Sequence, residues 1–318
     1  MLVFWFCLIL YLQNEVEEGI KAVAVITAVK GDVKIHRAGE KEFIPAHLED
    51  GLFAGDSLRT DTDGQVTILY CNSGKLLSLT KGESIKIEVS PADTVVRGAP
   101  DETGLGQETK SILSPLFVFN AEGEKSGLKV LVRGEEDTLN IVVYKPGNST
   151  LLTGRPDIVW SEFPDVQSYI VQLMKMGDVV WCRTTIDTIL TYPEDEAELK
   201  PGFYFLKIAA IKDNDTVSTA ERHIKVLSSD VINELHDILN NIKSQSPDPF
   251  TVHFLSAKIY EEKGLIGDAI NEYRTLLEMD PDNPTLYRSL SILYNRYGLT
   301  GLGNRYLEQY EALLNGGK

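Results

Sequence analysis

The amino-acid sequence predicts a multidomain chain of three units in series: an all-β N-terminal unit, an all-β middle unit and an all-α C-terminal unit. Three observations carry this expectation. Residues 22–90 hold short apolar runs, several of them alternating, between Gly, Asn and Asp turn signals. Residues 128–228 return to strand-like runs about ten residues apart, the spacing of a β-sandwich. From Ser229 onward the apolar period becomes helical, and the pattern repeats every 34 residues. The length of 318 residues suits two or three domains. With 43% hydrophobic and 25% charged residues, the chain has an ordinary globular balance and is neither disordered nor fibrous.

Charge removes further classes. Lys and Arg number 31 against 47 Asp and Glu, a formal charge of −16, and the deficit is spread evenly over the three units. Nucleic-acid binding depends on Lys and Arg neutralising phosphates, so nucleic acid is excluded as a partner. An anionic membrane surface is disfavoured for the same reason.

Residues 1–12 are apolar without interruption, and Gln13 to Glu18 is a polar stretch. A helix of that length spans about 18 Å, short of the roughly 30 Å hydrocarbon core, but it fits the apolar region of a signal peptide. Residues 1–20 are therefore expected to be a signal peptide or short membrane anchor. The chain is expected to be exported, periplasmic or envelope-associated, touching membrane only through this segment. No basic residue precedes the apolar run, and the nearest small-x-small triplet, Ala22-Val23-Ala24, falls inside an expected strand. Phe6 before Cys7 lacks the small residue that lipoprotein processing requires. Cys71 and Cys182 read as small, buried strand residues with no disulfide framework.

In the first unit, strands are expected at Ala22–Val29, Val33–His36, Gln65–Tyr70, Leu76–Leu79 and Ser84–Val89. Residues 91–127, rich in Pro, Gly and charge, read as a linker. The middle unit, 128–228, is expected to hold strands at 128–132, 139–144, 157–160, 168–174, 179–183, 203–211 and 223–227. In it Tyr169, Val171 and Leu173 share one face. In the third unit Val231, Leu235, Ile238, Leu239 and Ile242 form a helical stripe behind Asp230 as N-cap. Further helices are expected at about 250–263, 266–279, 284–297 and 300–315.

Over 247–315 the helical block resembles the tetratricopeptide repeat. Pro281 takes the terminal proline position of the repeat. Tyr260, Gly264, Ala269 and Tyr273 then occupy its aromatic, small, small and aromatic positions. The next copy places Tyr287, Leu290, Tyr294, Gly298, Gly303 and Leu307 at equivalent sites, and the helix over 231–243 caps the array as a half-repeat. His253 stands where Trp is typical, and Ala257 and Ser291 stand at the eighth position. The middle block resembles a fibronectin type III-like or immunoglobulin-like sandwich. Pro156 to Trp160 looks like the strand carrying the core Trp, and Leu199-Lys200-Pro201-Gly202-Phe203-Tyr204 resembles the corner whose Tyr hydroxyl bonds backbone. Trp160, Trp181 and Tyr169 are expected in that core. The first block resembles the extracytoplasmic domain of the FecR family. The resemblance rests on Val29-Lys30-Gly31-Asp32-Val33, Gly51 to Thr60, Asp63-Gly64-Gln65-Val66 and Asn72 to Leu79. In that family the domain lies outside the cytoplasm, which agrees with residues 1–12; the family's cytoplasmic N-terminal domain is not in this sequence.

No catalytic constellation is legible. The five histidines, at 36, 47, 223, 236 and 253, show no metal-ligand spacing. There is no nucleophile elbow, phosphate loop or dinucleotide motif. Asp61-Thr62-Asp63-Gly64 lacks the distal ligands of a calcium loop and reads as a hairpin turn. Asp56, after Gly55, is expected to accept backbone N–H bonds. No enzyme activity, metal or cofactor is expected. The expected function is a non-catalytic exported scaffold or adaptor that binds a protein or peptide through its repeats, with His253, Tyr260, Tyr287 and Tyr294 as partner-binding candidates. The alternative is an envelope glycan or surface-ligand sensor that uses the two β units.

Overall fold

A computed structural model describes residues 20–89, 96–97, 101–119 and 140–316. The apolar segment 1–12 and the strand expected at 128–132 lie outside the described residues. The chain divides into two compact units, Met1–Lys129 and Val130–Lys318.

Unit 1 contains β1 (Ile20–Lys21), β2 (Ala24–Lys30), β3 (Val33–His36), β4 (Phe43–Pro45), β5 (Gly51–Leu52) and β6 (Ser57–Thr60). It continues with β7 (Gln65–Tyr70), β8 (Lys75–Leu79), β9 (Ser84–Lys86), β10 (Val96–Arg97), β11 (Asp101–Gly104), α1 (Gln107–Leu113) and β12 (Val118–Phe119). Two five-stranded sheets form, ordered β10-β9-β6-β3-β4 and β11-β8-β7-β2-β5. Alternate residues of both meet in one core around Ile26, Ile35, Leu58, Ile68, Leu79 and Ile85. The two glycine turns named above nest against each other. A Cβ at Gly31 would lie 2.4 Å from the Asp63 carbonyl oxygen, and one at Gly64 would lie 2.3 Å from that of Asp32, so only glycine fits either place.

The expectation of a linker over 91–127 is corrected here. Asp101–Gly104 pairs antiparallel with Lys75–Ser78, and Val96–Arg97 pairs with Ser84–Ile85. Leu105, Leu113 and Phe117 are buried. Backbone pairing holds the polar Asp-Glu-Thr-Gly run as a strand without any apolar alternation to announce it.

Unit 2 begins with β13 (Val143–Lys145), β14 (Ser149–Leu151), β15 (Asp157–Trp160), β16 (Ser168–Lys175) and β17 (Asp178–Thr185). β18 (Ile189–Thr191), β19 (Gly202–Lys212) and β20 (Asp215–Val226) complete its sandwich. A three-stranded sheet, β13-β15-β18, packs on a five-stranded one, β14-β20-β19-β16-β17. Trp160, Trp181 and Tyr169 lie in the core as expected, Trp160 edge-on to Tyr169 at 5.4 Å. The Tyr204 hydroxyl donates to the Lys200 carbonyl at 2.7 Å while its ring is buried, which is the tyrosine-corner geometry. Cys71 is buried, its thiol pushed up to about 12 by burial. Cys182 is exposed, contrary to expectation. Trp181 takes the inward position on β17, so the pleat turns its neighbour out.

Five helices follow: α2 (Ser229–Gln245), α3 (Pro249–Glu262), α4 (Ile266–Met279), α5 (Pro284–Tyr297) and α6 (Thr300–Gly316). α2 starts two residues earlier than expected, so Ser228 is the N-cap and Asp230 sits in the first turn, where it complements the positive helix end. α3 is capped by Asp248, which accepts from the Thr251 N–H at 2.8 Å, and α5 by Asn283, which accepts from the Thr285 N–H at 3.1 Å. Pro occupies the first turn of both. α3–α4 and α5–α6 form two successive hairpins whose second helices begin 34 residues apart. No helix among the described residues is long and apolar enough to cross a membrane.

Candidate functional site

In unit 2 the segment from Pro146 to Thr150, the loop before β14 and the start of that strand, bonds the sandwich to the helices. The Asn148 N–H donates to the Tyr297 carbonyl at 2.9 Å, and the Thr150 N–H to the Gly264 carbonyl at 2.8 Å. Arg222 Nη2 donates to the Gly298 carbonyl at 3.0 Å. Gly264 and Gly298 end α3 and α5 with φ of 72° and 93°, the left-handed conformation that terminates a helix. The same carbonyls that cannot be satisfied inside a helix thus become acceptors for the sandwich. A Cβ at Gly147 would lie 2.4 Å from the Tyr297 ring, so the loop seats only because that position has no side chain.

Two cavities flank this junction. The larger, about 590 Å³, runs between the 144–157 segment and α4 and α5. Tyr144, Arg155, Asp268, Asn271, Arg274, Tyr294 and Tyr297 contribute to its walls, as does the Lys145–Asp157 ion pair at 3.1 Å; no histidine or cysteine does. Burial pushes the Asp268 carboxyl up, helped by the charge of Glu272 and opposed by its own backbone N–H and by Lys145. Burial likewise raises the Tyr297 phenol. The smaller cavity, about 430 Å³, lies on the other side of the loop against β19, β20 and the start of α4.

The four residues singled out from sequence fall into two pairs. His253 Nδ1 lies 2.6 Å from Glu272 Oε2. Tyr260 feels the same carboxylate, and its phenol is pushed up to about 12, chiefly by burial and then by Asp268 and Glu272. Tyr294, only 8% exposed, stacks on Tyr306 at 5.2 Å, and Tyr287 tilts against the same ring at 6.1 Å. Burial is the main cause that pushes the Tyr294 phenol up to about 12. No hydrogen bond or ring contact links one pair with the other. Tyr294 alone of the four reaches a cavity wall.

Other residues weighed in the sequence have structural partners. The Lys34 ammonium bonds Asp61 at 3.1 Å and Asp32 at 2.9 Å, holding the Asp61 carboxyl below its usual range. Asp56, buried, accepts from the N–H groups of Phe53 and Ala38 at 3.0 Å each and from Arg37 at 2.7 Å. Beyond the residues weighed in the sequence, the acidic run 194–198 is tied down by Arg155, which donates to the carbonyls of Pro193 and Glu196, and by an Arg183–Glu196 ion pair. Among the described residues no cluster of three or more His, Cys, Asp or Glu is placed to hold a metal ion.

Sequence reasoning missed Phe203, Phe205, His223, Lys225 and Arg296, which line the smaller cavity. A signal for the first two was present. If the Tyr204 ring is inside, pleat alternation turns Phe203 and Phe205 out.

No protein-family model matches the chain, and no curated protein matches it in sequence. Among solved structures it is similar to fibronectin(III)-like modules of Clostridium thermocellum CbhA, at 11% identity and a TM-score of 0.21 over 65% of this chain and 81% of that one. It is also similar to the extracellular domain of BT4673 from B. thetaiotaomicron, at 10% identity and a TM-score of 0.22, covering 59% of this chain and 30% of that one. A β-1,2-glucanase from Parabacteroides distasonis aligns at 11% identity and a TM-score of 0.20, over 93% of this chain and 59% of the enzyme. The chain therefore spans less than two thirds of the latter two. Likenesses of this degree do not amount to a shared overall fold and say nothing of its activity.

Proposed function

We propose that the chain is a non-catalytic, exported cell-envelope adaptor that binds a partner protein or peptide through unit 2. The observation that carries this reading is the junction. Backbone bonds from Asn148 and Thr150 to the turn carbonyls of Tyr297 and Gly264 fix the helical hairpins on the sandwich, and a fixed module presents its surfaces without an ordering cost on binding. The tetratricopeptide-like spacing supports the same reading. Ala269 and Gly303 are buried at the positions where paired helices approach most closely, and His253, Tyr260 and Tyr287 are left partly accessible. The FecR-like motifs of unit 1 and the apolar segment 1–12 support export. The test is site-specific photo-cross-linking of the full chain in its own cells, followed by fractionation. Adducts from a probe at Tyr260 or Tyr287, found in the envelope fraction, are expected. A cytosolic protein that keeps Met1 would overturn the envelope assignment.

A second reading, a glycan or surface-ligand sensor, is favoured by one observation in unit 1. Phe43 and Ile44 are exposed on the edge strand β4, with the Arg59 guanidinium 4.9 Å from the Phe43 ring. Adducts at Phe43 with none at Tyr260 or Tyr287 would favour it.

A further inference from the structure

We propose that the outer face of the five-stranded sheet of unit 2, at the smaller cavity, binds an acidic peptide segment that carries a bulky apolar side chain. This deepens the adaptor reading by giving the partner a chemistry, and it places a binding surface on the sheet as well as on the helices.

The apolar part of the argument is exposure. Phe203 is 70% and Phe205 39% exposed. Strand register extends them into a row: Met174 pairs with both Val179 and Phe205, and Phe205 pairs with His223. Val179 is exposed, and Met176, at the hairpin tip beside this row, is 94% exposed. Single exposed apolar residues are ordinary, but a contiguous row across three strands, continued by His223 on the fourth, marks an interaction surface.

The charged part is composition. The walls of the 430 Å³ cavity include Lys225, His223 and Arg296 and not one Asp or Glu, in a chain with 47 acidic against 31 basic residues. The Lys225 ammonium lies 5.4 Å from the Phe203 ring, and His223 packs edge-on to Phe205 at 4.8 Å. Neither Lys225 nor Arg296 makes an ion pair with any carboxylate among the described residues. Two permanent cations without counter-charges beside two exposed rings complement a ligand with carboxylates next to an apolar anchor. The volume suits one or two side chains rather than a folded domain. An anionic bilayer has the same sign as the whole molecule and is the weaker fit.

The experiment uses the full chain and an array of short Asp- and Glu-rich peptides, each with one Phe, Trp or Leu. Lys-for-Glu counterparts, Ala-anchored versions and phosphatidylglycerol-containing vesicles stand beside it. Selective binding of the acidic, apolar-anchored peptides is expected. The double substitution Lys225→Glu with Arg296→Glu should weaken it by roughly tenfold, the effect of about two rim ion pairs. Phe203→Ser should weaken it without changing the unfolding midpoint, and Met279→Ser, at an exposed position on α4 outside both cavities, should leave it unchanged. Absence of any acidic preference overturns the proposal, as does binding that survives the charge reversals or vesicle binding that they abolish. If acidic peptides bind but only Tyr260→Ala reduces the binding, the sheet proposal falls while the adaptor reading stands.

Discussion

Both faces of the β19–β16 pair carry large apolar residues, yet they serve different ends. On one face Leu206, Ile208, Val171 and Leu173 are wholly buried against the three-stranded sheet. On the other, Phe203, Phe205 and Met174 stand outward, with Val179 beside them on the edge strand. Burial accounts for the first set, because apolar area removed from water stabilises the fold at about 25 cal/mol per Å². It does not account for the second, which keeps much of its area in water. A residue that stability does not require is a candidate for something else, and the comparison can be broken or sharpened one substitution at a time.

The largest effect belongs to the inner face. Leu206→Ala should destabilise unit 2 by about 3 kcal/mol, because the removed methyl groups leave a cavity that close-packed neighbours fill only in part. Urea unfolding followed by Trp fluorescence measures it directly, since Trp160 and Trp181 share that core. A loss below about 1 kcal/mol would mean that the sandwich core is looser than its burial indicates.

Next comes the junction, which belongs to neither face. Gly147→Ala places a methyl group within 2.4 Å of Tyr297 ring atoms and its carbonyl, an overpacking cost of about 1–3 kcal/mol. The expected signature is local. Hydrogen exchange at the Asn148 and Thr150 amides, which donate to Tyr297 and Gly264, should quicken while the amides of β16 and β19 stay protected. Equal acceleration everywhere would show that the helices and the sandwich unfold as one body. Tyr204→Phe is smaller again. It removes the hydroxyl that donates to the Lys200 carbonyl and accepts from Lys175 Nζ at 3.4 Å, a loss of about 1 kcal/mol, and should lower the unfolding midpoint without altering the exposure of Phe203.

Much of this was legible in the sequence, for reasons that differ by element. The alternation Tyr169-x-Val171-x-Leu173 revealed its buried face because the intervening residues are partly polar. The helical hairpins were legible because Gly264, Pro281 and Gly298 punctuate them. β11 was not, because its pairing with β8 is carried by backbone bonds that any side chains permit. The junction left no trace for a similar reason, since its bonds join main-chain atoms 149 and 114 residues apart, from Asn148 to Tyr297 and from Thr150 to Gly264. As for the candidate site, Tyr294 was chosen for its aromaticity and turned out to be stacked on Tyr306. The run Gly202-Phe203-Tyr204-Phe205-Leu206 is apolar at both parities, so alternation alone left its outer face unread.

The smallest expected effect on stability is the most informative. Phe203→Ser changes a residue that touches solvent over most of its surface, and surface substitutions of this kind shift stability within about 0.5 kcal/mol. The Lys225 ammonium over the ring adds at most a modest cation–π contribution at so open a position. The serine variant should therefore unfold at the wild-type midpoint, whereas Leu206→Ala, on the same strand and three residues away, should not. If Phe203→Ser proves as costly as a core substitution, the ring is being buried by something in the folded chain, and the outer face is structural after all. If stability is unchanged and binding to acidic peptides falls, the two faces of one strand have been separated: one parity holds the sandwich together, and the other is free to recognise a partner.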